Sequence, residues 1–230
     1  MVRLVLLPGM DGTGELFTEF AAATRAETHI VRYPPDRSLG YAELEQLVIS
    51  ELPSDSPYVI LGESFSGPIA LSVASAQPPL LRGVILCCSF ARNPRPGLAL
   101  LRGLVDWLPE RPPMDPLMWF LAGEGGTPAL REALSRALAR VSPAALRARM
   151  KAVIGVDVVA KLPSISVPLL YLQAAQDRVV PRSAAQPILE NVPRGRLVEL
   201  AGPHFLLQTR PREAARVIEQ FVQEAAGHAL

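Results

Sequence analysis

The sequence predicts an α/β fold: a mostly parallel, doubly wound sheet of about six strands, with a helical insertion after the fourth strand. Three observations predict it. Short runs of Val, Ile and Leu are nearly continuous rather than alternating, as strands covered on both faces require. Helix-period stripes separate those runs. The alternation then stops in a proline-rich middle segment and resumes beyond it.

The strands are expected at Val2–Leu7, His29–Tyr33, Tyr58–Leu61, Gly83–Cys88, Pro168–Gln173 and Arg196–Leu200. Between them, Leu16, Phe17, Phe20 and Ala21 form one apolar stripe, and Tyr41, Leu44, Leu47 and Val48 another. Near the end, Ala214, Val217, Ile218, Phe221 and Val222 recur at helical spacing after Pro211. Strand and helix in this order imply right-handed crossovers. The insertion opens at Asn93-Pro94-Arg95-Pro96-Gly97 and turns helical. Thr127-Pro128 and Ser142-Pro143 each read as an N-cap and first helical residue. Leu130, Leu134 and Leu138 follow the first, and Leu146, Met150 and Val153 the second. The expected division is 1–90 and 164–230 for the core and 91–163 for an all-helical cap.

With 230 residues, 49% apolar and 20% charged, the chain suits one domain with a large core. A net charge of +1 argues against nucleic acid or an anionic membrane as the main partner. The lysines are Lys151 and Lys161, and neither follows a glycine, which excludes a P-loop. Gly12 and Gly14 would need a small residue at Phe17 to make a dinucleotide fingerprint. No His or Cys cluster has zinc spacing, so neither metal nor cofactor is expected. Cys87 and Cys88 are strand neighbours and point apart, so free buried thiols in a reducing compartment are expected. The run before Pro8 is too short for a signal peptide or a span. A cytoplasmic protein without membrane insertion is the expectation.

The most specific segment runs from a strand (Tyr58-Val-Ile-Leu) through Gly62-Glu63-Ser64-Phe65-Ser66-Gly67 into an apolar helix. Such a turn is tight, so the positions two before and two after the serine must be small. Ser64 Oγ then stands exposed at the carboxyl end of the strand, facing the N–H groups of the new helix. Ser66 is the weaker nucleophile because Pro68 would fill its second small position. A serine needs a base. Of the three histidines, His29 precedes Ser64 and His228 lies in the tail. His204 follows the last strand, at the rim where ligands bind in such sheets. The imidazole needs an acid. Of nine carboxylates between Ser64 and His204, Asp177 alone lies just past a strand end, with Asp157 the substitute. Asp11 and Glu63 read as turn or helix-end charges, and the arginines as solvated faces.

This constellation resembles the α/β-hydrolase superfamily, whose elbow is written G-x-S-x-G; here Ser66 departs at the last position, with Gly67 next. The order Ser64, Asp177, His204 is similar too. The resemblance implies an oxyanion hole from the N–H of Phe65 and, after the first strand, of Met10 in Leu7-Pro8-Gly9-Met10-Asp11-Gly12-Thr13-Gly14. That loop, over about eight residues, also looks like plant acyltransferases of the phytyl-ester-synthase type. The two antiparallel strands that usually open the superfamily fold have no counterpart, so the His29–Tyr33 strand should be an edge that dimerisation could cover. The implied activity is a serine carboxylesterase acting on small to medium apolar esters through an acyl-serine. An acyltransferase or thioesterase with the same triad is the first alternative, and a non-catalytic ligand-binding module the second. An apolar cap, with Leu98, Leu100, Leu101, Leu104, Val105, Trp107 and Leu108 and then Leu117, Met118, Trp119, Phe120 and Leu121, suggests an apolar acyl group.

Overall fold

The structure, a computed structural model, describes residues 2–107, 109–110 and 112–227. The expectations placed on Leu108 and His228, and on the side chains of Leu98 and Leu101, lie outside the described residues. Among the described residues six strands form one sheet: β1 (Arg3–Leu7), β2 (Thr28–Ile30), β3 (Tyr58–Glu63), β4 (Leu81–Cys87), β5 (Leu169–Ala174) and β6 (Gly195–Leu200). Their order is β2-β1-β3-β4-β5-β6, and every pair is parallel. The winding therefore reverses between β1 and β3. A crevice opens there at the carboxyl ends of the strands, where such sheets bind ligands.

The helices are α1 (Thr18–Ala23), α2 (Tyr41–Glu51), α3 (Gly67–Ser75), α4 (Met114–Leu121), α5 (Pro128–Arg140), α6 (Pro143–Gly155), α7 (Gln186–Asn191), α8 (Leu206–Thr209) and α9 (Pro211–Gly227). Strand side chains alternate between two cores. Val5, Leu7, Ile60 and Val84 face one layer, beneath α2, α3 and α7. Leu4, Leu6, Val59 and Ile85 face the other, which Phe20 of α1 and Ile218 and Phe221 of α9 cover. Burying each such side chain contributes about 1.5–3 kcal/mol of transfer free energy, which is why continuous apolar runs specify central strands.

The segment between β4 and β5 is helical, as expected. It holds 3₁₀ turns over Pro96–Trp107, then α4, α5 and α6. Thr127 Oγ1 accepts the Leu130 N–H and Ser142 Oγ the Ala145 N–H, so both N-caps form. An Arg92–Asp157 bridge holds the two ends of the segment side by side. Met118, Ala122 and Leu134 pack with Leu16 and Phe205 of the flanking core.

Two strands differ from expectation. β2 stops at Ile30 rather than Tyr33, because the Tyr33 N–H turns to the Gly12 carbonyl and Pro34-Pro35 follow. β6 is the second edge and is not covered on both faces: Leu197 is 40% exposed and Arg196 and Glu199 face solvent. β2 occupies the other edge. Cys87 is the last residue of β4, and Cys88 lies beyond it with φ 49°; both are buried free thiols. Among the described residues no helix is long and apolar enough to cross a membrane.

Candidate active site

β3 runs directly into a 3₁₀ turn over Ser64–Ser66 and then α3. Ser64 sits at φ 48°, a left-handed conformation that side chains rarely adopt and that the surrounding packing must enforce. Two glycines permit the turn. A Cβ on Gly62 would lie 2.8 Å from the Ser66 carbonyl oxygen, and one on Gly67 would lie 1.8 Å from Ser89 Oγ. The residue that had to be glycine after the serine is thus Gly67, and Ser66 is free to carry a side chain.

His204, on the loop between β6 and α8, places Nε2 2.9 Å from Ser64 Oγ. Its Nδ1 lies 2.8 Å from Asp177 Oδ2, on the loop after β5. The other oxygen, Asp177 Oδ1, accepts the Val179 and Val180 N–H groups at 2.8 and 2.9 Å. The acid is therefore aimed by its own turn. His204 is 3% exposed and the Asp177 side chain 4%, so water competes little with either bond. Three loops from β3, β5 and β6 thus bring together the residues picked from their places in the sequence. Asp157 instead accepts the Val159 N–H. An acceptor at Nδ1 leaves Nε2 as the proton acceptor for a serine hydroxyl.

Phe65 is locked in place. Tyr41 stacks on its ring at 4.8 Å and donates its hydroxyl to the Phe65 carbonyl at 2.9 Å, while Tyr33 meets it edge-on. Met10 lies across the crevice, after β1, in a turn closed by Gly12 N–H to Gly9 C=O at 3.1 Å. Met10, Ser64 and His204 line one cavity of about 720 Å³. Its walls are apolar and come largely from the helical segment: Leu117, Phe120, Leu134, Leu146, Met150 and Val153. Of the apolar runs singled out there, Leu100, Leu104 and Trp107 are exposed instead, and Val105 is buried.

Three polar residues here escaped the sequence reading. Ser66 is fully buried; its hydroxyl donates to the Pro8 carbonyl and lies 2.6 Å from Tyr33 Oη. Its signal was the departure from glycine itself. Glu63, read as a helix-end charge, is 5% exposed and accepts from Gln208 at 2.9 Å. Burial raises its carboxyl from 4.5 to about 7; Asp11 adds to the rise, while the Gln208 and Gly9 hydrogen bonds and His204 oppose it. A charge at the end of a continuous strand run was its signal. Arg149, read as solvated, is wholly buried. It follows Leu146 by three and precedes Val153 by four, which puts it on the apolar face of α6. Asp11, read as a turn charge, is one: it accepts the Thr13 N–H at 2.9 Å.

Cys88 Sγ, an Asp177 oxygen and a His204 nitrogen lie within 4.8 Å of one another. The hydrogen bond with Cys87 and burial push the Cys88 thiol well up, so it is neutral, and both Asp177 oxygens are already committed to hydrogen bonds. Such a set suits proton transfer better than metal ligation.

The family model described as the alpha/beta hydrolase family matches residues 4–217. No curated protein sequence matches the chain closely enough to count as a relative. Solved structures are similar at the level of fold. An esterase from Exiguobacterium antarcticum is 16% identical, with a TM-score of 0.82 over 97% of this chain and 92% of that one. A thermophilic esterase from Thermogutta terrifontis is 17% identical, with a TM-score of 0.82 over 98% and 90%. A proline iminopeptidase from Mycobacterium smegmatis is 18% identical, with a TM-score of 0.72 over 97% and 90%.

Proposed function

Because the chain belongs to the alpha/beta hydrolase family, we propose that it is a serine esterase hydrolysing small to medium apolar carboxylic esters. The observation that carries this reading is the Ser64–His204–Asp177 hydrogen-bond chain opening onto an apolar cavity.

His204 Nε2 takes the proton from Ser64 Oγ as that oxygen bonds to the ester carbonyl carbon. The carbonyl π electrons move onto oxygen, and the N–H groups of Met10 and Phe65 hold the resulting oxyanion. Asp177 stabilises the imidazolium and fixes its tautomer. The intermediate collapses, the C–O bond to the alcohol breaks, and His204 returns the proton to the leaving oxygen. A water then repeats the sequence: His204 takes its proton, hydroxide adds to the acyl carbon, and Ser64 leaves with that proton. The carboxylic acid departs.

The leucine, phenylalanine and methionine walls favour an uncharged acyl chain, because a charged one would lose its hydration there without a partner. The volume, about 720 Å³, falls within the ~300–1,000 Å³ typical of small-molecule sites. The helical segment acts in this reading as a cap that shapes the acyl site.

The test is labelling with a fluorophosphonate beside turnover of p-nitrophenyl esters. Label on Ser64, lost in Ser64→Ala, with aliphatic esters preferred over a succinate half-ester, is expected. Label that persists in Ser64→Ala, or cleavage of prolyl amides without ester turnover, would overturn the reading.

A further inference from the structure

The loop carrying Met10 is held by its carbonyls. The Pro8 oxygen accepts from Ser66 Oγ and the Gly9 oxygen from the Gly12 N–H. The Met10 and Asp11 oxygens both accept from Nη1 of Arg149, at 2.9 and 2.8 Å. The Gly12 oxygen accepts the Tyr33 N–H at 2.8 Å. Five consecutive carbonyls are thus pinned, two of them by one side chain from α6 in the helical segment.

Arg149 is an expensive way to hold them. It has no exposed surface, and among the described residues no carboxylate lies within ion-pair distance of it, although the Asp11 charge favours its charged form against the cost of burial. It also donates from Nη2 to the Pro34 carbonyl at 2.9 Å and lies 5.7 Å from the Tyr33 ring, while Nε has no hydrogen-bond partner among the described residues. Removing a guanidinium from water is costly, and an apolar residue on this helix face would avoid that cost. What an apolar residue could not do is grip adjacent carbonyls. In the turn closed between Gly9 and Gly12, Met10 and Asp11 are the central residues, and their torsions together set where its peptides point. Arg149 Nη1 holds the oxygen of the Met10–Asp11 peptide between them, so it limits the torsions of Met10. The adjoining Gly9–Met10 peptide carries the N–H assigned to the oxyanion hole.

We propose that Arg149 is a positioning residue for the oxyanion loop, by which the helical segment sets the direction of the Met10 N–H. The inference rests on the esterase reading above. It makes the segment between β4 and β5 part of the catalytic apparatus and not merely a wall of the acyl site. A donor matters most when charge develops on the carbonyl oxygen, so losing its alignment weakens the transition state more than substrate binding.

The experiment compares the wild type with Arg149→Met and Arg149→Lys, each checked for folding by near-ultraviolet circular dichroism and Tm. Fluorophosphonate labelling of the wild type is read first. Its absence would overturn the esterase reading and this inference together, whereas labelled wild type isolates the inference. For folded Arg149→Met, kcat should fall by at least about 30-fold with KM within about threefold, since misplacing one oxyanion donor forfeits much of its ~10²–10³-fold effect. Affinity for a trifluoromethyl ketone, which forms the tetrahedral oxyanion on Ser64, should fall in parallel, while that for the matching alcohol should not. Arg149→Lys should lie between, because an ammonium keeps the charge but lacks the planar fork. An unchanged kcat in folded Arg149→Met, or a loss carried wholly by KM, would overturn the proposal. If Arg149→Met does not fold, Arg149→Lys decides. A kcat at least about threefold down at unchanged KM supports the proposal, and a wild-type kcat overturns it.

Discussion

Replacing Glu63 with glutamine should change how the stability of this protein depends on pH. Glu63 is buried directly before Ser64, and burial raises its carboxyl from 4.5 to about 7. A carboxyl with a raised value in the folded state binds its proton more tightly there than in the unfolded chain. Its contribution to stability is therefore fully present below about 4.5, is lost as pH rises toward 7, and is flat above that. The gap between 4.5 and about 7 converts, at 1.36 kcal/mol per pH unit, to about 3 kcal/mol. Glutamine keeps the size and an acceptor for Gln208 Nε2 but does not ionise. Whatever Glu63→Gln costs in packing is the same at every pH. The stability difference between variant and wild type should thus shift by about 3 kcal/mol in favour of the variant between pH 4.5 and pH 8. Urea denaturation of both proteins at those two values, with equal m, measures it. Parallel pH profiles within about 0.5 kcal/mol would refute the reasoning, because they would mean that Glu63 titrates alike in the folded and unfolded chains.

Asp177→Asn should keep the fold, since an amide oxygen can still accept from Val179 and Val180. The amide NH₂ then faces Nδ1 and forces the wrong imidazole tautomer. Steady-state kinetics should show kcat down by roughly 10³–10⁴-fold, and a loss under tenfold would remove Asp177 from the proposed mechanism. Ser66→Gly would restore the family's elbow pattern yet orphan the Pro8 carbonyl and the Tyr33 hydroxyl, both partners of Ser66. Urea denaturation should register a loss of about 2–5 kcal/mol, and a change under 0.5 kcal/mol would show that those groups find other partners.

How the helical segment divides its apolar residues illustrates where sequence reading reaches its limit. Leu134 and Leu138, spaced by one helical turn, both line the cavity, as a shared face implies. Leu100 and Trp107 were equally apolar on paper and are 92% and 85% exposed. Periodicity tells which residues share a face, but not which surface that face meets. Edge strands pose the same difficulty. Arg196–Leu200 reads much like a central strand, and only the sheet order leaves it with a neighbour on one side.

Local chemistry by itself determined the parallel sheet, the sharp turn at Ser64 and the choice of His204 and Asp177. Each depends on short-range rules: apolar runs, small residues around a tight turn, and titratable groups just past strand ends. Tertiary structure alone decided the surroundings of those groups. It buried Glu63, turned Ser66 from a small residue into an anchor for Pro8, and carried Arg149 across 138 positions to the Asp11 carbonyl. The reason is physical. The energy of a buried charge or hydroxyl is set by which partners surround it, and those partners come from chain segments whose proximity no local pattern encodes.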